Sequence, residues 1–220
     1  MESDRDSGVT AGIFRDDGSG LRQRIFSELH SKNGWNGIQS LSGPGSDERG
    51  SAVIRETLPL ILAKYGIRSI LDAPCGDWNW MKDARVNLDF YIGIDIVPQV
   101  ITRNVEKYGA EHRRFAVKDL VSDFLPRADM IICRDCLAHL PLADCLKAIK
   151  NFKNSCSEYL LVTTSPTIKK NLDVNVGEWR ALNLQLSPFN FPEPLELINE
   201  KSIEKLDCDK NLGLWNLTSL

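Results

Sequence analysis

Apolar positions follow two rhythms along this chain, and the change between them comes at Gly66. Before it, Ile54, Leu58, Ile61, Leu62 and Tyr65 recur at helical spacing, which predicts a helix starting from Asp47 and ended by Gly66. Pro59 lies inside that stripe and predicts a kink, or a break into two shorter helices. Upstream, LRQRIFSELHS (21–31) reads as a short amphipathic helix, and WNGIQSLSGPGS (35–46) as a loop punctuated by Gly and Pro. After Gly66, short β-branched runs alternate with helical stretches. Strands are predicted at RSILDA (68–73), FYIGID (90–95), within RRFAVKDL (113–120), at DMIICR (129–134) and at EYLLVTT (158–164). PQVITRNVEKYG and LADCLKAIKNFKNS between them have helical period.

The first strand is an apolar run rather than an alternating one, as expected where both sheet faces are covered. The predicted fold class is therefore α/β: a Rossmann-like doubly wound sheet, mostly parallel, with helices on both faces. Two later strand-like pieces, 195–200 and 212–217, are expected to add a C-terminal antiparallel hairpin. The expected organisation is a poorly ordered Asp/Ser/Gly-rich tail at 1–20, a helical cap segment at 21–66, and one domain over 67–220. A lid insertion is expected within it at about 165–192.

Composition narrows the function. At 220 residues, 42% hydrophobic and 26% charged, the chain suits one soluble domain with a single sizeable core. A net charge of −3 and the lack of a basic stripe disfavour a nucleic-acid partner. No apolar run approaches the ~18 residues of a membrane span, and no secretory h-region is evident, so a cytoplasmic location is expected. The six cysteines (Cys75, Cys133, Cys136, Cys145, Cys156, Cys208) lie mostly in predicted strands and helices. Cys133 and Cys136 form a C-x-x-C, but no second pair follows at zinc-site spacing, so structural thiols are expected and no metal.

In a doubly wound sheet, ligands bind beyond the carboxyl ends of the strands, near the switch in strand order. Four successive predicted strands deliver acids to that rim: Asp72 with Cys75-Gly76-Asp77, then Asp95, Asp119, and Arg134-Asp135. Asp95 lies 23 residues beyond Asp72, where an acid accepts hydrogen bonds from the two hydroxyls of an adenosine ribose. A loop acid or helix N-cap is the other reading of Asp95. Gly76 lacks a Cβ, so a cofactor can approach the turn closely.

ILDAPCGDWNWM, YIGIDIVPQVI, KDL and DMIICRDCLAHLP, in that order, resemble motifs I to IV of the class I S-adenosylmethionine-dependent methyltransferases, over about Ser69 to Thr164. The resemblance implies that Asp72, Ala73, Pro74, Cys75, Gly76 and Trp78 form the cofactor turn, with Asp72 and Gly76 under the methionine half and ribose. It implies further that Asp95 holds the ribose hydroxyls, that Ile96 flanks the adenine, that Asp119 and Leu120 face it, and that Arg134 sits beside the methionine. Pro74 and Trp78 replace the outer glycines of the family's turn, so the next helix must start differently or the Trp78 indole must border the pocket. The D-A-P-C-G-D-x-x-W-M turn, with S-G-x-G-S upstream (Ser42–Ser46) and R-x-L-N-L then P-F-x-F-P downstream, resembles a bacterial subgroup loosely associated with surface glycans.

Methyl transfer from a sulfonium requires alignment and, for an oxygen acceptor, a base. His139 is the first candidate and Asp135 the second; His139 could equally be a helix-terminal residue bonded to backbone. His30 and His112 fall outside any motif. Asn79, Trp80, Trp179, Arg180 and Asn183 are the acceptor-side candidates: Arg180 could fork onto an anion and Trp179 stack on a ring. Alternatively Trp179 and Leu182 fill a small core of the lid and Arg180 pairs with a surface acid. The SGPGS loop could be a hinge over the methionine end or a plain turn. The expected activity is S-adenosylmethionine-dependent methylation of an oxygen or nitrogen on a small-molecule or glycan-type acceptor. The alternatives are a nicotinamide-dependent oxidoreductase, disfavoured because Pro74, Gly76 and Asn79 stand where G-x-G-x-x-G is needed, and a non-catalytic binder of the same cofactor.

Overall fold

A computed structural model describes residues 18–202 and 209–220. The expected disordered tail lies outside the described residues except for its end, where Ser19 and Gly20 already open helix α1 (Ser19–Ser31). Cys208 also lies outside them.

Seven strands form one sheet: β1 (Ser69–Asp72), β2 (Phe90–Asp95), β3 (Arg113–Val117), β4 (Met130–Cys133), β5 (Tyr159–Thr164), β6 (Glu196–Asn199) and β7 (Asn211–Asn216). Their order is β3-β2-β1-β4-β5-β7-β6. The first five run parallel, while β7 pairs antiparallel with both β5 and β6. The predicted sheet and its C-terminal hairpin are thus present, with the hairpin's second strand placed inside the first. The β1–β4 neighbourhood is the switch in strand order, where a doubly wound sheet opens a crevice. β3 ends at Val117, short of the predicted boundary, although Lys118 still donates its N–H to the Asp95 carbonyl.

Helix α2 (Ala52–Tyr65) covers one face, burying Ile54, Leu58, Ile61 and Leu62 against Ile70, Met130, Ile132 and Leu161. Each such side chain contributes about 1.5–3 kcal/mol on leaving water. Helix α4 (Leu142–Asn154) covers the other, packing Ala148, Ile149 and Phe152 onto Leu71, Ile131, Leu160 and Trp215. Helix α3 (Pro98–Tyr108) joins β2 to β3.

Helix α2 begins later than predicted because Asp47 is used elsewhere: its carboxylate accepts the backbone N–H groups of Ile38, Gln39 and Ser40. Pro59 does not break the helix. It is half-buried beside a polar groove that Arg55 also lines, so water can take up the carbonyl that a proline cannot serve. Gly66 ends the helix as predicted, at φ 65°.

Candidate cofactor and acceptor cavity

A cavity of about 410 Å³ opens beyond the carboxyl ends of β1, β2 and β4. Its floor includes Pro74, Cys75 and Gly76 from the turn after β1, then Asp95 and Ile96, then Asp119 and Leu120, then Arg134, Asp135 and His139. Trp80 and Trp179 complete the sequence-predicted residues that reach it.

Asp95 meets the turn directly. Its carboxylate accepts the N–H of Gly76 at 3.2 Å and that of Val97 at 2.9 Å. Each oxygen keeps lone-pair capacity, so a vicinal diol can still donate to both. Burial pushes the Asp95 carboxyl up to about 6, opposed by the N–H groups of Val97 and Gly76. Gly76 has φ 51°, and a Cβ there would collide with Ser42 Oγ from the SGPGS loop. That loop is fastened to the turn, since Asp77 accepts from Ser40 Oγ at 2.8 Å and from the Leu41 N–H at 3.1 Å.

Several predicted residues lie elsewhere. Asp72 is buried beneath the cavity and accepts the Tyr91 hydroxyl at 2.6 Å; burial pushes its carboxyl up to about 7, against that hydrogen bond. Ala73 is wholly buried in the core next to it. Trp78 is not a wall of the cavity. Its backbone turns to φ 59°, and the ring packs against Tyr91, Tyr108 and Phe115 in the core under α2, with Arg113 over it at 4.4 Å. No α-helix follows this turn before β2; Met81–Asp83 is a single 3-10 turn.

On the acceptor side, Asn79 donates to the Ser46 carbonyl at 2.8 Å in a separate groove, which Trp80 lines as well. Arg180 does not face a ligand: it is buried and donates to the carbonyls of Leu137 at 2.7 Å, Leu140 at 2.6 Å and Leu172 at 3.1 Å. It pairs with no surface acid either; it staples the segment after β5 to the turn after β4. Asn183 does the same locally, donating to Pro166 and Ile168 carbonyls at 3.0 and 3.1 Å.

Asp135 is unsuited to act as a base. Burial alone would raise its carboxyl, but Lys210 at 2.5 Å and Arg134 at 3.4 Å hold it well below the usual carboxylate range. Glu200 closes a ring of four charges by pairing with Arg134 at 2.8 Å and Lys210 at 3.4 Å. Arg134 also donates to the Gly45 and Gly50 carbonyls, so it anchors the SGPGS loop at this end of the cavity. His139 is different: its Nδ1 is buried with no hydrogen-bond partner among the described residues. Burial lowers its pKa below 6.5, against the pull of Asp135, so the ring is neutral near pH 7 and its unprotonated nitrogen can accept a proton.

The sequence reading missed the roof. Arg22, Phe26 and His30 of α1 line the cavity four residues apart, a spacing visible in the sequence, and Trp35 and Lys210 join them. Arg22 bonds the Asp119 carboxylate at 2.7 and 2.9 Å, so the acid expected to face an adenine already has a cationic partner.

No protein-family model matches the chain, and no curated protein sequence does. Solved structures match it. The N-methyltransferase NodS from Bradyrhizobium japonicum WM9, in complex with S-adenosyl-L-homocysteine, superposes with a TM-score of 0.63 at 16% identity, over 89% of this chain and 97% of NodS. This is a methyltransferase fold. The methyltransferase domain of bacterial CtHen1 shares it at TM-score 0.55 and 12% identity, over 76% of this chain and 98% of that domain. Human N-acetylserotonin methyltransferase in complex with SAM follows at 0.51 and 16%, over 89% of this chain and 55% of that one. In this methyltransferase fold the present cavity occupies the crevice beside β1 and β4. Among the described residues no three His, Cys, Asp or Glu side chains group to hold a metal ion, and no helix is long and apolar enough to cross a membrane.

Proposed function

We propose that the chain is an S-adenosylmethionine-dependent methyltransferase that methylates a small-molecule or glycan-type acceptor, with oxygen favoured over nitrogen. The observation that carries this reading is the pairing of Asp95 with the Gly76 N–H inside the cavity. An acid fixed against a glycine turn, with lone pairs left over, fits a ribose diol. Ile96, Val97 and Leu120 offer apolar walls for a purine, and the Cβ-free Gly76 lets the sugar approach the backbone. NodS and human N-acetylserotonin methyltransferase, which share the fold, hold S-adenosyl-L-homocysteine and SAM respectively.

When bound, the cofactor supplies an electrophilic methyl group on a sulfonium. The chain's residues align and shield. Asp95 orients the ribose, the SGPGS loop and the ring of Arg134, Glu200, Lys210 and Asp135 close the methionine end, and α1 excludes water from above. His139, neutral and with Nδ1 unpartnered, receives the acceptor's proton as its oxygen bonds to carbon. The favoured oxygen follows from this base, because an amine acceptor needs only desolvation.

Calorimetric titration with S-adenosylmethionine, S-adenosylhomocysteine and NAD tests the reading. Binding of the two sulfur ligands is expected. Binding of NAD alone would overturn it in favour of hydride chemistry.

A further inference from the structure

We propose that the cavity end bounded by Trp35, Trp179 and His139 is the acceptor subsite, and that it takes a flat, uncharged aromatic ring carrying a hydroxyl group. The proposal rests on the methyl-transfer reading above and names its substrate class.

Its walls are rings. Phe26 stacks on Trp35 with centroids 6.4 Å apart and planes 22° apart, and Trp35 meets His139 edge-on at 6.1 Å. Trp179 is 40% exposed and lines the same cavity. It is kept there by its neighbours, since the N–H groups of Gly177 and Arg180 donate to the His139 and Ala138 carbonyls at 2.9 and 3.1 Å. The rings of Phe26, Trp35 and His139 are already packed on one another, so a further ring would add face-on or edge-on to the open side of this cluster.

Polar capacity at this end is small and directional. Trp35 Nε1 and His139 Nδ1 are both buried with no hydrogen-bond partner among the described residues. An indole only donates, and the free nitrogen of a neutral imidazole accepts. One hydroxyl-bearing ring satisfies that pair, and His30 Nε2 is the third unpartnered polar atom among the described residues lining the cavity.

Charge argues the same way. Arg134 and Lys210, cations lining the same cavity, are both committed to Glu200 and Asp135. Arg180 is turned onto backbone carbonyls. A phosphate or carboxylate acceptor would therefore have Lys118, in the turn after β3, as the lining cation outside these pairs among the described residues. An ammonium would find no free acid, because Asp135 already sits between two cations.

The hydroxyl proton passes to Nδ1 of His139 as the acceptor oxygen takes the methyl carbon, the carbon–sulfur electron pair remaining on sulfur. Charge and atoms balance: a methyl ether, a neutral thioether and an imidazolium result.

The test uses the full chain, with and without S-adenosylhomocysteine, and ligand-observed saturation-transfer NMR on three probes: 2-naphthol, methyl β-glucopyranoside and phenyl phosphate. Saturation transfer to 2-naphthol alone is expected. Trp179→Ala, an exposed position that leaves the core intact, is expected to weaken 2-naphthol at least fivefold. The 15N signal of His139 Nδ1 is expected to move when 2-naphthol binds. Transfer to the glucoside or the phosphate with 2-naphthol silent would overturn the proposal, as would 2-naphthol binding that Trp179→Ala and the His139 signal do not register. Titrating S-adenosylhomocysteine in the same samples separates the two claims. Its binding with 2-naphthol silent removes only the subsite, whereas 2-naphthol binding without it removes only the methyl-transfer reading.

Discussion

Arg22, near the start of α1, closes on Asp119 beyond β3 at 2.7 Å, with both side chains almost fully buried (4% and 7% exposed). The same guanidinium reaches Asp144 of α4 at 2.9 Å. One side chain therefore ties the roof of the cavity to the turn after β3 and to the helix packed behind the sheet. Removing it leaves two acids facing each other in a low-dielectric pocket. Arg22→Ala is expected to cost about 3 kcal/mol of stability in urea unfolding. Arg22→Lys should recover only part of this, because an ammonium lacks the planar fork that reaches both acids.

Asp95 gives a pH signature. On the proposed reading ribose hydroxyls bind its carboxylate form, and burial sets the free carboxyl at about 6. Binding should therefore be fully developed only above about pH 7, and weaken as pH falls through 6, since a proton must leave before the diol can be held. Calorimetry with S-adenosylhomocysteine between pH 5 and 8 checks this. Asp95→Ala should cost more than about 1 kcal/mol of binding and flatten the pH dependence.

Asp72 predicts a stability gain. Its carboxyl is raised from 3.8 to about 7, so between those values the folded chain holds a proton that the unfolded chain has lost. Stability therefore falls as pH rises through that window, and the penalty is complete above about 7. Asp72→Asn keeps an acceptor for the Tyr91 hydroxyl and carries no charge. Thermal unfolding should show the variant more stable by about 2 kcal/mol at pH 8, with the difference gone near pH 4.

His139 can be followed by its own titration. Burial lowers its midpoint below 6.5 while Asp135 pulls it upward. Asp135→Asn should lower the midpoint further, read from the imidazole proton signals as a function of pH. His139→Gln should leave S-adenosylhomocysteine affinity unchanged and slow methylation of an accepted hydroxyl by about a hundredfold.

The sheet was legible because short apolar runs such as ILDA and MIIC, bounded by turn residues, suit strands buried on both faces, and the helical stretches between them set the parallel order. The place of Asp95 beside the Gly76 turn was legible because it depends on chain distance from the turn, which the sequence preserves. The tryptophans were not. Whether Trp78 enters the cavity or the core turns on a φ of 59° at that residue, which no spacing announces, and Trp35 enters only because α1 carries its loop over the sheet. Arg180 and Asn183 misled for a related reason. A fork of donors suits a bound anion and a row of backbone carbonyls equally well, and only three dimensions decide which it meets. Arg22, Phe26 and His30 lay in plain view at four-residue intervals, but a face with a cation and an imidazole among apolar neighbours looks like an ordinary solvent boundary until something is packed beneath it.

The ring of Arg134, Asp135, Glu200 and Lys210 also orders events in time. Two of its members follow β4 and two flank the turn of the last hairpin, so the ring closes only once that hairpin has docked against β5. A chain whose parallel strands have paired but whose hairpin has not docked would lack Glu200 and Lys210, and Arg134 and Asp135 would be left to each other.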